Sequence, residues 1–250
     1  MVRILIALAM SLLSFIMYGQ GKQVVTISGG VQSLNVALPI SVTIDASKDS
    51  DKVEIVTDNA VGAELIQVKQ SGTKLIIGLK PSSKRTKNIG SIKINLSQKG
   101  IVNYEVSTVA KVVVNGRVTG DNAKIAVDAT GSLDASFSVN TISINVDSAG
   151  KYIGNVVAKT MKSNVDSAGK VVVTGDVETL NVNVDSAASF DGKGLKAKYV
   201  KVEVDSMGKA EVYPTESLNA YADSMGKVIY HNTPKEIKKY TDSMGSVKAK

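Results

Sequence analysis

Val146-Asp147-Ser148-Ala149-Gly150 decides the fold, because the chain repeats this phrase seven times. It opens as Val127-Asp128-Ala129-Thr130-Gly131 and returns as Val165-Asp166-Ser167-Ala168-Gly169. The fourth copy, Val184-Asp185-Ser186-Ala187-Ala188, lacks the glycine. Val204-Asp205-Ser206-Met207-Gly208, Ala222-Asp223-Ser224-Met225-Gly226 and Thr241-Asp242-Ser243-Met244-Gly245 complete the series. The aspartates are separated by 19, 19, 19, 20, 18 and 19 residues. A fixed short period is the mark of a stacked-repeat architecture.

Aligning the copies on the aspartate yields apolar columns. One residue before it stand Val127, Val146, Val165, Val184, Val204, Ala222 and Thr241. Five residues after it stand Leu133, Tyr152, Val171, Phe190, Ala210, Val228 and Val247, and five before it Ile142, Met161, Leu180, Val200, Leu218 and Ile237. A strand alternates its faces, so Ile142, Ile144 and Val146 share one side and Ser143 and Asn145 the other. A repeat of 19 residues is too short for two full helices and suits one coil of a parallel β-helix. One coil cannot bury its inner face alone; stacking at about 4.8 Å builds the core and satisfies the backbone. An antiparallel sandwich would need recurrent hairpin turns. Only Asn115-Gly116 and Asp191-Gly192 qualify, and neither recurs with the repeat.

The expected fold is therefore all-β, a parallel β-helix over residues 107–250 with less regular strands over 21–106 that cap or continue it. Upstream segments such as Leu34-Asn35-Val36-Ala37-Leu38 and Ile92-Lys93-Ile94-Asn95-Leu96 alternate without a clear period. The basic stretch Lys80-Pro81-Ser82-Ser83-Lys84-Arg85-Thr86-Lys87-Asn88 reads as a solvated loop, the alternative being contact with an anionic surface. The polar, lysine-rich last segment is expected to finish the far end.

Composition narrows the function. There are no cysteines, which excludes disulfides, thiolate metal sites and cysteine nucleophiles. The net charge of +7 comes from lysines scattered among acids, not the clustered arginines of a nucleic-acid binder. Met1-Val2-Arg3, the apolar run over residues 4–17, and Gly19-Gln20-Gly21 have the layout of a secretory signal over residues 1–20. The run is short for a membrane span, which takes about 20 apolar residues. The mature chain is thus expected outside the cytoplasm, in the periplasm, at the outer surface or extracellular, with no membrane-spanning segment.

The signal, the alternating strands and the Val-x-x-x-Gly repeat together resemble the auto-transporter adhesin "head GIN" domain family of Bacteroidetes-type bacteria. The likeness covers residues 23–247, and Tyr230-His231-Asn232-Thr233-Pro234 with Tyr240-Thr241-Asp242-Ser243-Met244-Gly245 is similar to that family's closing segment. The resemblance implies a secreted or surface right-handed β-helix and no defined activity. In the turn, the family's Ser-Gly-x-Gly is replaced by Asp-Ser-x-Gly.

Asp128, Asp147, Asp166, Asp185, Asp205, Asp223 and Asp242 would form an outward column. Carboxylates spaced by about 4.8 Å repel by roughly 1 kcal/mol per pair in water. An amide hydrogen bond to a charged acceptor contributes about 1.5–3 kcal/mol and offsets this. So each Asp is read as a turn residue accepting from the amides after it, with Gly left-handed, Ser in an internal hydroxyl ladder, and Lys151, Lys170, Lys209 and Lys227 as compensating charges. The alternative is a cation column, with Ca²⁺ between stacked carboxylates. His231 reads as a surface residue. No catalytic or cofactor-binding residue is assigned. The function expected is a non-enzymatic adhesin, structural or binding module whose partner is a glycan, matrix or cell-surface protein; the alternative is a polysaccharide lyase or hydrolase. Tyr199, Tyr213, Tyr221, Tyr230 and Tyr240 gather in the last coils, where they either face a ligand or fill the core.

Overall fold

A computed structural model describes residues 15–18, 21–58, 64–80 and 90–250. Nearly all of the proposed signal and of the basic loop after Lys80 lies outside these residues. Among those described, no helix is long and apolar enough to cross a membrane.

Nine short strands come first: β1 (Phe15–Tyr18), β2 (Lys22–Thr26), β3 (Ser33–Val36), β4 (Ser41–Asp45), β5 (Lys52–Thr57), β6 (Ile66–Ser71), β7 (Lys74–Leu79), β8 (Ile92–Ser97) and β9 (Asn103–Val106). Six long ones follow: β10 (Lys111–Val127), β11 (Ser132–Val146), β12 (Lys151–Val165), β13 (Lys170–Val184), β14 (Ser189–Val204) and β15 (Lys209–Ala222). The chain closes with β16 (Lys227–Tyr230), β17 (Glu236–Thr241) and β18 (Ser246–Ala249). All pairings from β9 onward are parallel and join consecutive coils, forming a β-solenoid of about eight turns.

The repeat is the coil. Val146 lies opposite Val127 and Val165, and Tyr152 opposite Leu133 and Val171, so the three apolar columns are ladder columns. Their members are buried until the last coil, where Ile237 and Val247 are only partly covered and Thr241 is exposed. Each long strand is bent rather than straight. In β11 the inward residues run Leu133, Ala135, Phe137, Val139 and then Ile142, Ile144, Val146. Alternation slips at Asn140, and the ladder omits the equivalent residues Asp121, Lys159, Glu178 and Lys198. Asn115-Gly116 and Asp191-Gly192 mark where register shifts insert extra residues.

The corner extends further upstream than the phrase does. Val106-Ser107-Thr108-Val109-Ala110 is an unrecognised copy: Val106 pairs with Val127, and Thr108 has φ 64°. The strands before residue 107 both continue and cap the stack. β3 lies parallel between β7 and β9, and β4 between β8 and β10. Beyond them the pattern turns antiparallel, as β8 pairs β5, β5 pairs β2, and β7 pairs β6. Antiparallel strands end the solenoid at this side without a further coil.

The opposite end is open. Among the described residues, β17 pairs only β15, and β18 only β16. The lysine-rich segment does not cover this edge. It places one charge inward instead: Lys239, in register with buried Ala220, donates from Nζ to the Tyr230 hydroxyl at 2.6 Å and sits 4.5 Å from the ring centroid.

Within the long strands β10–β15, one core position breaks the apolar rule. Ser163 is fully buried in the column between Ile144 and Val182, and its Oγ has no hydrogen-bond partner. An unsatisfied buried hydroxyl costs about 1–3 kcal/mol. Ser163→Val is expected to raise stability by about 1–2 kcal/mol. Urea unfolding with an unchanged or lowered midpoint would refute this.

Candidate functional site

The outward edge of the corners carries the seven aspartates. All are exposed except Asp223, which is half-buried. Each Oδ1 accepts the amide of the next residue: Ala129 to Asp128 and Ser148 to Asp147 at 2.5 Å, Ser206 to Asp205 and Ser224 to Asp223 at 2.6 Å, Ser243 to Asp242 at 2.7 Å. Ser167 to Asp166 and Ser186 to Asp185 follow the same pattern. The turn chemistry read from the sequence is thus present, with three differences.

The left-handed residue is the serine, not the glycine: φ is 57° at Ser148, 60° at Ser167 and 57° at Ser186. That conformation turns the serine outward. Its hydroxyl donates to the aspartate of the preceding coil, Ser148 to Asp128 and Ser167 to Asp147 at 2.9 Å, Ser186 to Asp166 at 3.0 Å. The ladder exists, but on the surface rather than inside. The glycine is required by close approach. A Cβ at Gly150 would lie 2.7 Å from the Val127 carbonyl oxygen, and one at Gly245 2.1 Å from that of Ala222. Ala188 fits because its corner is wider: its turn bond is 3.2 Å, against 2.9 Å at Gly150 and Gly169. Third, Lys151, Lys170, Lys209 and Lys227 make no ion pair with these aspartates among the described residues; the Lys209 ammonium goes to Glu211 at 2.6 Å.

Beside the aspartates runs a second polar column that the sequence reading left unassigned. Asn164 donates from Nδ2 to Asn145 Oδ1 at 2.8 Å, and Asn183 to Asn164 Oδ1 at 3.0 Å. Its sequence signal is an asparagine two residues before the aspartate in three consecutive copies. The column continues as Glu203, Tyr221 and Tyr240. Between the two columns lies a cleft of about 310 Å³, lined by Asn164, Asn183, Glu203, Asp166, Asp185, Asp205 and the Tyr221 ring. Tyr221 donates its hydroxyl to Asp223 Oδ2 at 3.3 Å, which holds the ring at the cleft's end. Of the other late tyrosines, Tyr199 and Tyr240 are exposed and Tyr230 is buried.

A wider concavity of about 680 Å³ follows the bends. Val139, Ala158 and Val177 form its floor, and Asn140, Lys159, Glu178 and Lys198 its rim. His231 is not a free surface residue: it is half-buried, with Nε2 2.6 Å from Glu211 Oε2. Among the described residues no three His, Cys, Asp or Glu side chains are grouped to hold a metal ion.

Every carboxylate that departs from its ordinary range goes down. Asp45 is lowered to about 2 by the hydroxyl of Ser47, then Lys48 and the Ser47 amide. Glu211 is lowered to about 2 by Lys209, with His231 adding to it. The Ala129 amide and Ser148 hydroxyl lower Asp128, Lys74 and Asn35 lower Glu105, and the Ser224 amide lowers Asp223. A glycosidic general acid needs the opposite shift. A depressed folded-state pKa stabilises the fold above the unfolded value, and the contribution is lost as pH falls through the folded one. The melting temperature is expected to hold above pH 4.5 and to fall steadily toward pH 2. A flat profile across that window in calorimetry would contradict these contacts.

The family match covers residues 30–234, under the description "Putative auto-transporter adhesin, head GIN domain". The chain belongs to this family. Several proteins of known structure share its fold. A putative adhesin from Parabacteroides distasonis is 19% identical with a TM-score of 0.85, covering 93% of this chain and 98% of that one. A putative adhesin from Parabacteroides merdae is 16% identical with a TM-score of 0.84, covering 92% and 95%. A third structure, called a putative lipid binding protein from Parabacteroides distasonis, is 16% identical with a TM-score of 0.80, covering 93% and 98%. At these identities the likeness is one of fold. No curated protein matches the chain.

Proposed function

We propose that this head GIN domain protein is a non-enzymatic, adhesin-like binding module of the cell envelope that holds a hydroxyl-rich polymer, a glycan, along its Asn and Asp edge. The observation that carries this is the cleft between the two columns. Amides and carboxylates that repeat every coil line it, and one aromatic ring closes it. Planar polar groups match sugar hydroxyls, and an exposed tyrosine supplies a face with a polar tip. A surface that repeats at about 4.8 Å suits a ligand that is itself extended and periodic. The family's adhesin description and the secretory layout of residues 1–20 support the same reading.

The test is a glycan array probed with the full-length chain and with Tyr221→Ala and Asn183→Ala. Binding should weaken about tenfold in the tyrosine variant. Equal binding by the parent and both variants would place the ligand elsewhere. N-terminal sequencing of the protein from fractionated cells tests export, and an intact Met1 in a cytoplasmic fraction would refute it.

A further inference from the structure

We propose that Met207, Met225 and Met244 form a binding site for a soft monovalent metal cation, copper(I) or silver(I). The three occupy one ladder position of consecutive corners and are 62%, 52% and 82% exposed. Packing does not demand methionine there. The same position in the first four copies holds Thr130, Ala149, Ala168 and Ala187. The backbone does not favour it either. Each methionine is left-handed, with φ 69°, 68° and 67°, a region most L-residues avoid. The preceding serines, Ser206, Ser224 and Ser243, are left-handed too.

The corners change with the residue. In the earlier copies the amide at this position donates back to the preceding coil, as Ala168 to the Ser148 carbonyl at 2.7 Å. In the methionine copies it donates forward, Met207 to Ser224 and Met225 to Ser243 at 3.1 Å. These bonds tie the three corners in register, so the side chains leave the edge as adjacent rungs.

Rungs about 4.8 Å apart are separated by roughly two metal–sulfur bonds of about 2.3 Å each. Two neighbouring thioethers can therefore hold one ion from opposite sides. Thioethers select soft ions such as copper(I), whereas hard ions take oxygen ligands. Asp205, Asp223 and Asp242 stand two residues before the methionines and give the edge a negative field that attracts a cation. The Lys209 ammonium, which could oppose this, is turned to Glu211.

The test titrates full-length protein with copper(I), without oxygen, against a coloured copper(I) chelator. The parent should withdraw about one ion per chain, and the triple variant Met207→Leu, Met225→Leu, Met244→Leu should bind about tenfold more weakly. Leucine keeps the apolar bulk, so a ridge that acts only as apolar surface would not distinguish the two. Equal binding, or all copper left on the chelator, overturns the proposal. A second measurement needs no variant. Silver(I) should slow peroxide oxidation of these three methionines, read by peptide mass spectrometry, with buried Met161 as the internal reference. Unchanged oxidation of the three also overturns it.

Discussion

Replacing Gly175 by alanine is expected to destabilise the protein by about 2–6 kcal/mol, combining a strained backbone with a steric clash. Gly175 has φ 117°, and a Cβ there would lie 2.1 Å from the Val156 carbonyl oxygen and 3.1 Å from Asn155 Nδ2. Neither neighbour can yield easily. Val156 is buried opposite Gly175 in the ladder, and Asn155 is tied to Arg117 Nη2 at 2.7 Å and to Thr174 Oγ1 at 3.1 Å. Gly72→Ala is the companion measurement, because Gly72 has φ 57° with nothing within 4 Å of the added carbon. It should cost only the left-handed penalty, about 1–2 kcal/mol. Denaturant unfolding of both variants separates the two effects. Similar midpoints for the pair would show that the close approach does not matter.

Lys239→Ile is expected to convert the open end into an adhesive one. Among the described residues, β17 and β18 each present an unpaired edge, beside partly covered Ile237 and Val247. An inward-pointing charge on an edge strand is a recognised barrier to edge-to-edge pairing. Any strand stacked on β17 would have to bury the Lys239 ammonium, now held by the Tyr230 hydroxyl and ring. With isoleucine there, light scattering should show at least about a doubling of mass that grows with concentration, while Lys239→Arg stays with the parent. Identical masses for parent and isoleucine variant would mean that the rest of the end suffices to keep it free.

The coil was legible because one coil is one period. Val146, Tyr152 and Ile142 repeat at fixed offsets, and each offset is a ladder column. The corner was legible only in part. Asp147 does accept the following amide, as turn chemistry predicts. The rule that assigns a left-handed turn residue to glycine gave way to close contact at Gly150, and the residue after the aspartate is left-handed instead, alanine at Ala129 as well as serine at Ser148, whose hydroxyl then reaches the neighbouring coil. That reach is made between residues 20 apart, which alternation along one strand does not reveal. The asparagine column carried a repeat signal that points to an outward face without stating a use. The antiparallel cap has no period at all, since β2, β5 and β8 meet across unequal stretches of chain.

The placement of β3 and β4 has a consequence for how the protein is made. From β9 onward a growing chain can lay each new coil on the one before it, so contacts form in the order in which residues emerge. The first coil cannot. β3 and β4 are flanked on one side by β7 and β8 and on the other by β9 and β10, all of which are synthesised later. Their outer neighbours must arrive after a detour through β5 and β6, closing the stack behind a coil that already exists. Synthesis order and stacking order therefore disagree only at this end, and closure of the cap is the step that requires non-local pairing, which is intrinsically slow.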